Sequence, residues 1–473
     1  MVFFAIYTAT NFPYTYITME GDGFWVLTWG FWQLKLSMLP AFTNWLADFL
    51  IQFYGSPYIA ATTHALVLGL IGTFAHAVLS PLLGKGWWRF LALLPPIILG
   101  FFCTFDLSFH LQWLFFFALL LAYQKTSSYF PALLWSILSV LLGFFLMRTP
   151  MLFLLLLLQV AIVLRNFNWK GCLYFILPLL LLALTPLIYS QQIAFIPFEE
   201  RYTAWGTHFD PLTSRYNIGR ENVKKYVCLA NEGRWEDLLF REHAKRDALR
   251  GNETALRYAL LAESALGTLP DNLLEYPIRN ENQFLFPHQT EYVASQFNRL
   301  FYLNLGVYDE AFHHAEEYGL LQTNGNCFSS LRQMSDYSIE EGDFEVAEKF
   351  LQILSKSSCH KEFVKERRER MKKEELRIKN LIPNPYSQIQ LRADNFVGGY
   401  PLPVEMLRLA RYYDDKEASN CISSNCQIKK MLDYAICSYM LRGDVNSFLI
   451  ATKAFDIYKD KALPKAYQEF MSK

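Results

Sequence analysis

The chain has 473 residues, and its 44 Lys and Arg balance 44 Asp and Glu, so the formal net charge is zero. The charges are distributed unevenly, because residues 1–190 hold only 11 of the 88 charged side chains. So few charges cannot build a surface that faces water, which excludes a single soluble globule. Neither part has a large positive excess, which excludes a basic nucleic-acid-binding protein. The composition predicts a membrane domain at 1–190, a linker at 191–216 and a soluble domain at 217–473.

The first segment, residues 1–19, is apolar but contains Pro13 and four Thr, and it lacks the cationic flank of a secretory signal. It is a candidate first span, and whether it crosses the bilayer stays open. Residues 24–54 are apolar and aromatic but carry Lys35 and Asp48 and are split by Pro40. They predict two short helices lying in the outer membrane interface. The alternative is one span kinked at Pro40, which would invert the topology of everything that follows.

Six further runs approach the roughly 20 apolar residues that a membrane-spanning helix needs. The predicted spans are 58–80, 87–105, 107–123, 128–146, 150–165 and 171–189. If the first of these runs from outside to inside, five cations fall on the inner side: Lys85, Arg89, Lys125, Arg165 and Lys170. Only Lys35 and Arg148 then fall outside, as the positive-inside rule favours. This orientation predicts a multi-pass protein of the bacterial inner membrane whose C-terminal domain is periplasmic.

The soluble part repeats one pattern, in which a helical stretch ends at Gly and an aromatic residue follows two positions later. It occurs at Gly233, Gly306 and Gly342, and more weakly at Gly443. The 36-residue interval between Gly306 and Gly342 is close to the period of tetratricopeptide (TPR) repeats, about 34. The chain is therefore expected to be all-α, a transmembrane helical bundle followed by a TPR-like α-solenoid interrupted at 383–403. Solenoid surfaces bind proteins or peptides.

Two other features of the soluble part have alternative interpretations. The charged run 361–379 is typical of a solvated helix with pairs at i and i+4, although it is also a candidate partner surface. Of eight Cys, Cys421 and Cys426 flank a short polar loop and are a candidate disulfide in an oxidising compartment. The alternative is that they are free thiols. No Cys or His spacing matches a zinc site.

Residues 33–61, 429–449 and 463–469 resemble a family of uncharacterised bacterial multi-span membrane proteins with TPR-like C-terminal halves. The resemblance reaches both halves of the chain, and it implies an architecture without an established activity. Relative to that family, the chain is expected to be short at both ends. We interpret it as a membrane protein of cell-envelope biogenesis.

The order of elements is also similar to that of GT-C-type glycosyltransferases, which take sugars from polyprenyl-phosphate carriers. This likeness is architectural: an acidic stretch at 19–23, then the helices split by Pro40, then an outer loop with Asp106 and His110. It implies Asp22 or Glu20 as the catalytic base and Asp106 as a ligand of a divalent metal. Arg148 and Lys35 would bind the substrate phosphate. The alternative is that these residues are polar span ends in solvated turns.

Three functions therefore compete. The first is a non-enzymatic membrane protein that presents a partner-binding repeat domain, and the second is the glycosyltransferase. The third is a transporter, which is poorly supported because His64 and His76, the two His assigned to a span, lie about three turns apart on one helix. Soluble enzyme motifs such as a P-loop, GxGxxG, GxSxG or HExxH are absent from the sequence.

Overall fold

The computed structural model describes residues 1–36, 40–81, 83, 86–100, 105–126, 129–166, 175–192, 218–286, 292–321, 327–357, 359–379, 396–397, 400–401, 403–404, 406–408, 410, 425–453 and 463–472. The chain divides into two compact units, an N-terminal unit, Met1–Ile218, and a C-terminal unit, Gly219–Lys473. Each is all-α in its described residues, apart from a short antiparallel pairing of Phe396–Val397 with Tyr400–Pro401. The predicted linker falls outside the described residues from 193 onward, so the predicted domain bounds stay a prediction.

The N-terminal unit begins with four short helices: α1 Val2–Asn11, α2 Pro13–Asp22, α3 Trp29–Leu36 and α4 Ala41–Ile51. The candidate first span is thus divided, and Pro13 begins α2, where its missing N–H costs nothing. Two short helices were predicted for 24–54, and α3 and α4 are those helices, with Pro40 as the residue that caps α4. Their placement in a membrane interface stays a prediction.

The rest of the unit consists of α5 Pro57–Leu79, a 3-10 turn Trp87–Leu93 that continues into α6 Leu94–Ile98, α7 Leu107–Gln124, α8 Tyr129–Leu146, α9 Thr149–Asn166 and α10 Ile176–Gln192. Among the described residues, α5 and α7 are long and apolar enough to cross a membrane. The other apolar helices are shorter, Arg89–Ile98, Phe130–Leu146, Thr149–Leu164 and Ile176–Ile188. The predicted span 87–105 is not one regular α-helix, since its start is a 3-10 turn followed by Pro95 and Pro96, which cannot donate backbone hydrogen bonds.

The core of the N-terminal unit forms around α5 and α7, which pack against each other. Helix α1 also packs against α5, and α4, α8 and α9 contact α7. Small residues on the buried face of α5, Ala60, Ala61 and Ala75, allow neighbouring helices to approach closely. Because α5 and α7 are central to the packing, their polar side chains meet inside the unit.

The C-terminal unit is a succession of helices, and they are listed here with their bounds: α11 Ile218–Asn231, α12 Ala244–Leu249, α13 Glu253–Leu266, α14 Leu269–Asn272, α15 Tyr292–Leu305, α16 Tyr308–Leu321, α17 Phe328–Glu341, α18 Phe344–Ser355, α19 Lys361–Lys379, α20 Asn425–Arg442, α21 Val445–Lys453 and α22 Lys465–Met471. Consecutive helices pair as hairpins, with α15 on α16, α17 on α18 and α20 on α21. The unit is therefore helical-repeat-like.

Three of the Gly residues in the repeated pattern form these hairpin turns. Gly306, Gly342 and Gly443 have φ of +74°, +84° and +71°, a left-handed conformation that favours Gly. The turn at Gly342 is closed by its own N–H bonding the Ile339 carbonyl, and by the N–H of the next residue bonding the Ser338 carbonyl. This bonding is the Schellman arrangement that ends helices.

Candidate functional site

A chain of three polar side chains lies inside the N-terminal unit. The hydroxyl of Tyr54, just after α4, lies 2.8 Å from Nε2 of His64 on α5. Nδ1 of His64 lies 3.2 Å from Nδ1 of His110, which is in the first turn of α7. Both imidazoles are fully buried. The ring of Tyr16, from α2, packs against Tyr54 and His64 at centroid distances of 6.1 and 5.6 Å.

The contacts restrict which nitrogen and oxygen atoms can carry protons. Burial is the main cause that raises the pKa of Tyr54 above its ordinary value, so the phenol keeps its proton and can donate it to His64 Nε2. When the phenol donates to Nε2 of His64, the proton of His64 is on Nδ1 and is donated to Nδ1 of His110. Each imidazole can accept a proton at one nitrogen and release one from the other. The arrangement can therefore transfer a proton from His64 to His110 without moving a side chain.

A charged group adjoins this chain. Asp106 caps the N-terminus of α7, where its carboxylate accepts a hydrogen bond of 3.2 Å from the Phe109 N–H. Asp106 also interacts electrostatically with Arg148, which directly precedes α9, and with Asp48 of α4. Asp48 forms an ion pair with Lys35, whose side chain is almost completely buried. The structure thus brings Lys35, Asp106 and Arg148, three of the sequence-predicted site residues, into one polar region.

The partners of these residues bear on their predicted roles. The ammonium of Lys35 is engaged by the Asp48 carboxylate and lies 5.3 Å from the centre of the Phe31 ring. Glu20 and Asp22 lie in the last turn of α2 and are partly exposed, whereas the sequence placed them in an outer loop. In the part of the chain that the structure describes, no three His, Cys, Asp or Glu converge as metal ligands. The described residues therefore offer no ligand set for the divalent cation assigned to Asp106.

A hydrogen-bonded group fixes α4 against α7 beside the site. Ser108 donates to the side-chain carbonyl of Asn44 at 2.6 Å, and Gln112 donates to Ser108 at 3.5 Å. A hydrogen bond inside an apolar unit is costly to lose, because water cannot replace the missing partner. These bonds hold the loop that carries Tyr54 near α5 and α7.

Sequence reasoning missed the central contact. The likeness to GT-C enzymes placed His110 in an outer loop, although the predicted span 107–123 contains this residue. Asp106 is a helix-capping residue type and would have placed His110 in the first helical turn after it. His76, the other His assigned to a span, is exposed on α5. The candidate disulfide, Cys421 and Cys426, falls outside the side chains that the structure describes, while Cys228, Cys327, Cys359 and Cys437 are in the thiol form, without a disulfide.

The fold and the site define an all-α protein that combines an apolar helical unit, with a buried Tyr–His–His chain, and a helical-hairpin unit. The chain matches a family of unknown function, DUF6057, over residues 1–472, and it belongs to this family. The sequence-based expectation of an uncharacterised family is thereby confirmed. No curated protein and no solved structure matches the chain.

Proposed function

We propose that this protein is a multi-pass protein of the bacterial inner membrane, with the N-terminal unit in the bilayer. The apolar helices α5 and α7 are of spanning length, which supports this location. Large apolar side chains also face outward from the unit, for example Leu66, which is 64% exposed, and Phe130, which is 68% exposed. Such a surface is stable against lipid, whereas in water it would promote association.

The membrane unit transfers protons, and the observation that carries this proposal is the contact between Nδ1 of His64 and Nδ1 of His110. Ionisable side chains inside a membrane are costly, and where they occur they mark ion pathways and proton relays. A proton taken up by His64 at Nε2 leaves from Nδ1 to His110, so charge moves across the pair while each ring stays in place. The Tyr54 hydroxyl is the hydrogen-bond partner of Nε2 and therefore marks the entry side of this relay.

The C-terminal unit binds a protein or peptide partner in the periplasm, as a TPR-like domain acting in cell-envelope biogenesis. The helical hairpins that turn at Gly306 and Gly342 support this role, since stacked hairpins create extended surfaces for partners. The loops predicted to be inside hold an excess of cations, and this supports a periplasmic location of the C-terminal unit.

Proton transfer can be tested in proteoliposomes that contain a pH-sensitive dye, with a potassium gradient and valinomycin to set the membrane potential. Wild-type protein should acidify or alkalinise the lumen according to the sign of the potential. His64→Gln and His110→Gln should slow this flux by about 100-fold, the scale of a lost proton-transfer group. His76→Gln is the matched control, because this exposed His lies on the same helix. Wild-type flux equal to that of empty liposomes would overturn the proposal.

The alternative is a GT-C-like glycosyltransferase, and the proximity of Asp106, Arg148 and the Lys35–Asp48 pair is the observation that favours it. Arg148 would bind the phosphate of a polyprenyl-linked sugar. Asp22 or Glu20 would accept the proton of the acceptor hydroxyl as the bond from sugar to phosphate breaks and polyprenyl phosphate leaves. Transfer of radiolabelled sugar from such donors should then be lost in Asp22→Asn and Arg148→Gln. Full transfer activity in both variants would exclude these assignments.

A further inference from the structure

A groove lined by positive charge runs along α19 of the C-terminal unit, the segment that the sequence marked as highly charged. The groove has a volume of about 400 Å³. Val364 and Ser355 contribute to its lining, and Val364 is buried. Four cationic side chains line it as well: Lys361, Lys365, Arg368 and Lys372.

The four cations lie on one face of α19. Their positions follow the spacing i, i+4, i+7 and i+11, which repeats every turn of an α-helix. Lys361 and Lys372 are eleven positions apart, which corresponds to a rise of about 16 Å along the helix axis. An extended peptide of about five residues covers the same length.

Three arginines of α19, Arg367, Arg368 and Arg370, form ion pairs within the unit. Arg367 binds Asp336 of α17 at 2.6 Å. Arg370 forms an ion pair with Glu340, which also belongs to α17. Arg368 contacts Glu348 of α18 through two hydrogen bonds, of 2.6 and 3.1 Å. These pairs attach α19 to the hairpin of α17 and α18, which is the use that suits the fork shape of the guanidinium.

The lysines of the groove differ from these arginines because their charges are not paired among the described residues. Within the described part of the chain, the side chains of Lys361, Lys365 and Lys372 are exposed and form no ion pair or hydrogen bond. Glu369 is the single carboxylate among the residues that line the groove. The positive charge of the three lysines is therefore available to a ligand.

We propose that this groove binds an acidic, extended peptide segment of a protein partner. The inference rests on the proposed partner-binding role of the C-terminal unit and gives that partner a chemistry. Alternate side chains of an extended peptide lie on one side about 7 Å apart, close to the rise of about 6 Å between Lys361 and Lys365. A concave surface with Val364 in its lining fits a peptide better than a flat anionic membrane, which would reach only the lysine tips.

The test uses the full chain in nanodiscs of phosphatidylcholine and measures fluorescence polarisation of short labelled peptides. Three peptides alternate Ser with Glu, with Gln or with Lys. Only the Glu peptide should bind, and added salt should weaken its binding. Changing Lys361, Lys365 and Lys372 together to Gln should raise Kd about tenfold, as expected for three exposed ion pairs. A control triple, Lys349, Lys373 and Lys453 to Gln, changes net charge equally and should bind as wild type.

The possible results distinguish peptide binding in the groove from the proposed partner-binding role of the whole C-terminal unit. An equal loss of peptide binding in both triple variants would mean that net charge alone attracts the peptide, which would overturn the proposal that the groove binds it. Binding of the Gln or Lys peptide without the Glu peptide would also overturn it, yet would keep a partner-binding role for the unit. If none of the peptides binds, and phosphatidylglycerol vesicles bind wild type but not the groove triple, the groove is a membrane contact and the peptide inference is wrong.

Discussion

His64 on α5 and His110 on α7 are 46 residues apart in the chain, and their Nδ1 atoms lie 3.2 Å from each other inside the N-terminal unit. One of these nitrogens must hold a proton and the other must lack it, since two N–H groups or two lone pairs would repel. The neutral pair therefore has two tautomeric arrangements, and exchange between them moves the proton between the Nδ1 atoms while one Nε2 gains a proton and the other loses one. The hydroxyl of Tyr54, at 2.8 Å from His64, favours one of them.

Replacing Tyr54 by Phe removes that hydroxyl and leaves Nε2 of His64 without this donor. We expect proton flux in proteoliposomes to fall toward the level of His64→Gln. The loss of a buried hydrogen bond should also lower the free energy of unfolding by about 1–3 kcal/mol. Unfolding can be followed by SDS titration in mixed micelles. Tyr58→Phe is the control, because Tyr58 is 64% exposed at the start of α5, and equal effects of both changes would contradict the prediction.

The Lys35–Asp48 pair should behave as a buried ion pair. Asp48→Asn leaves the buried ammonium without its carboxylate, and the free energy of unfolding should fall by about 3–5 kcal/mol. The double change Lys35→Met with Asp48→Leu removes both charges and should restore most of that loss. A double-mutant cycle measured by SDS titration gives the interaction energy. If the double variant is as unstable as the sum of the single variants, the pairing is not what stabilises this region.

The stability of the C-terminal unit should decrease with rising pH because of Glu341. Burial, together with the nearby carboxylates of Asp309 and Asp343, raises the pKa of Glu341 to about 8, from an ordinary value of 4.5. Between these values the folded state holds a proton that the unfolded state releases, so this group contributes stability below pH 4.5 that is lost as the pH rises toward 8. Glu341→Gln should flatten the pH dependence of Tm in that window. An unchanged slope would contradict the prediction.

His360 should have the opposite effect. Its ring stacks on Phe328 with centroids 3.7 Å apart, and burial lowers its pKa to about 4, from an ordinary value of 6.5. The unfolded state binds a proton that the folded state refuses between these values, so stability falls as the pH drops from 6.5 toward 4. His360→Gln should reduce this acid-induced fall of Tm, whereas the exposed His313, changed to Gln, should leave it as in wild type. The prediction is wrong if both variants follow the wild-type curve.

The side of the membrane on which the C-terminal unit lies can be read from two thiols. Cys359 is exposed and Cys437 is fully buried, and burial is the main cause that raises the pKa of the Cys437 thiol. In single-Cys variants of intact spheroplasts, a membrane-impermeant maleimide should label Cys359 and leave Cys437 unmodified until denaturation. Labelling of Cys359 only after the membrane is permeabilised would place the unit in the cytoplasm.

Local features of the fold could be predicted from the sequence. Pro40 splits residues 24–54 into two helices, because Pro lacks an N–H and disfavours a helical residue before it. Gly306 and Gly342 mark hairpin turns, because a left-handed residue is needed there and Gly adopts that conformation without strain. The low charge of residues 1–190 likewise predicted a unit with an apolar exterior. Each of these predictions depends on residues that are neighbours in the chain.

The sequence by itself thus determined individual helix breaks, such as the one at Pro40, the hairpin turns at Gly306 and Gly342, and which part of the chain is apolar. Only the tertiary structure decided that His64 faces His110 and that Lys35 is paired with Asp48. It also decided that three arginines of α19 are paired with carboxylates of α17 and α18, whereas the three lysines of the groove form no ion pair in the described part of the chain. Each of these relationships joins different helices. The distance and rotation between two packed helices depend on the whole set of side chains at their contact, which no local pattern contains.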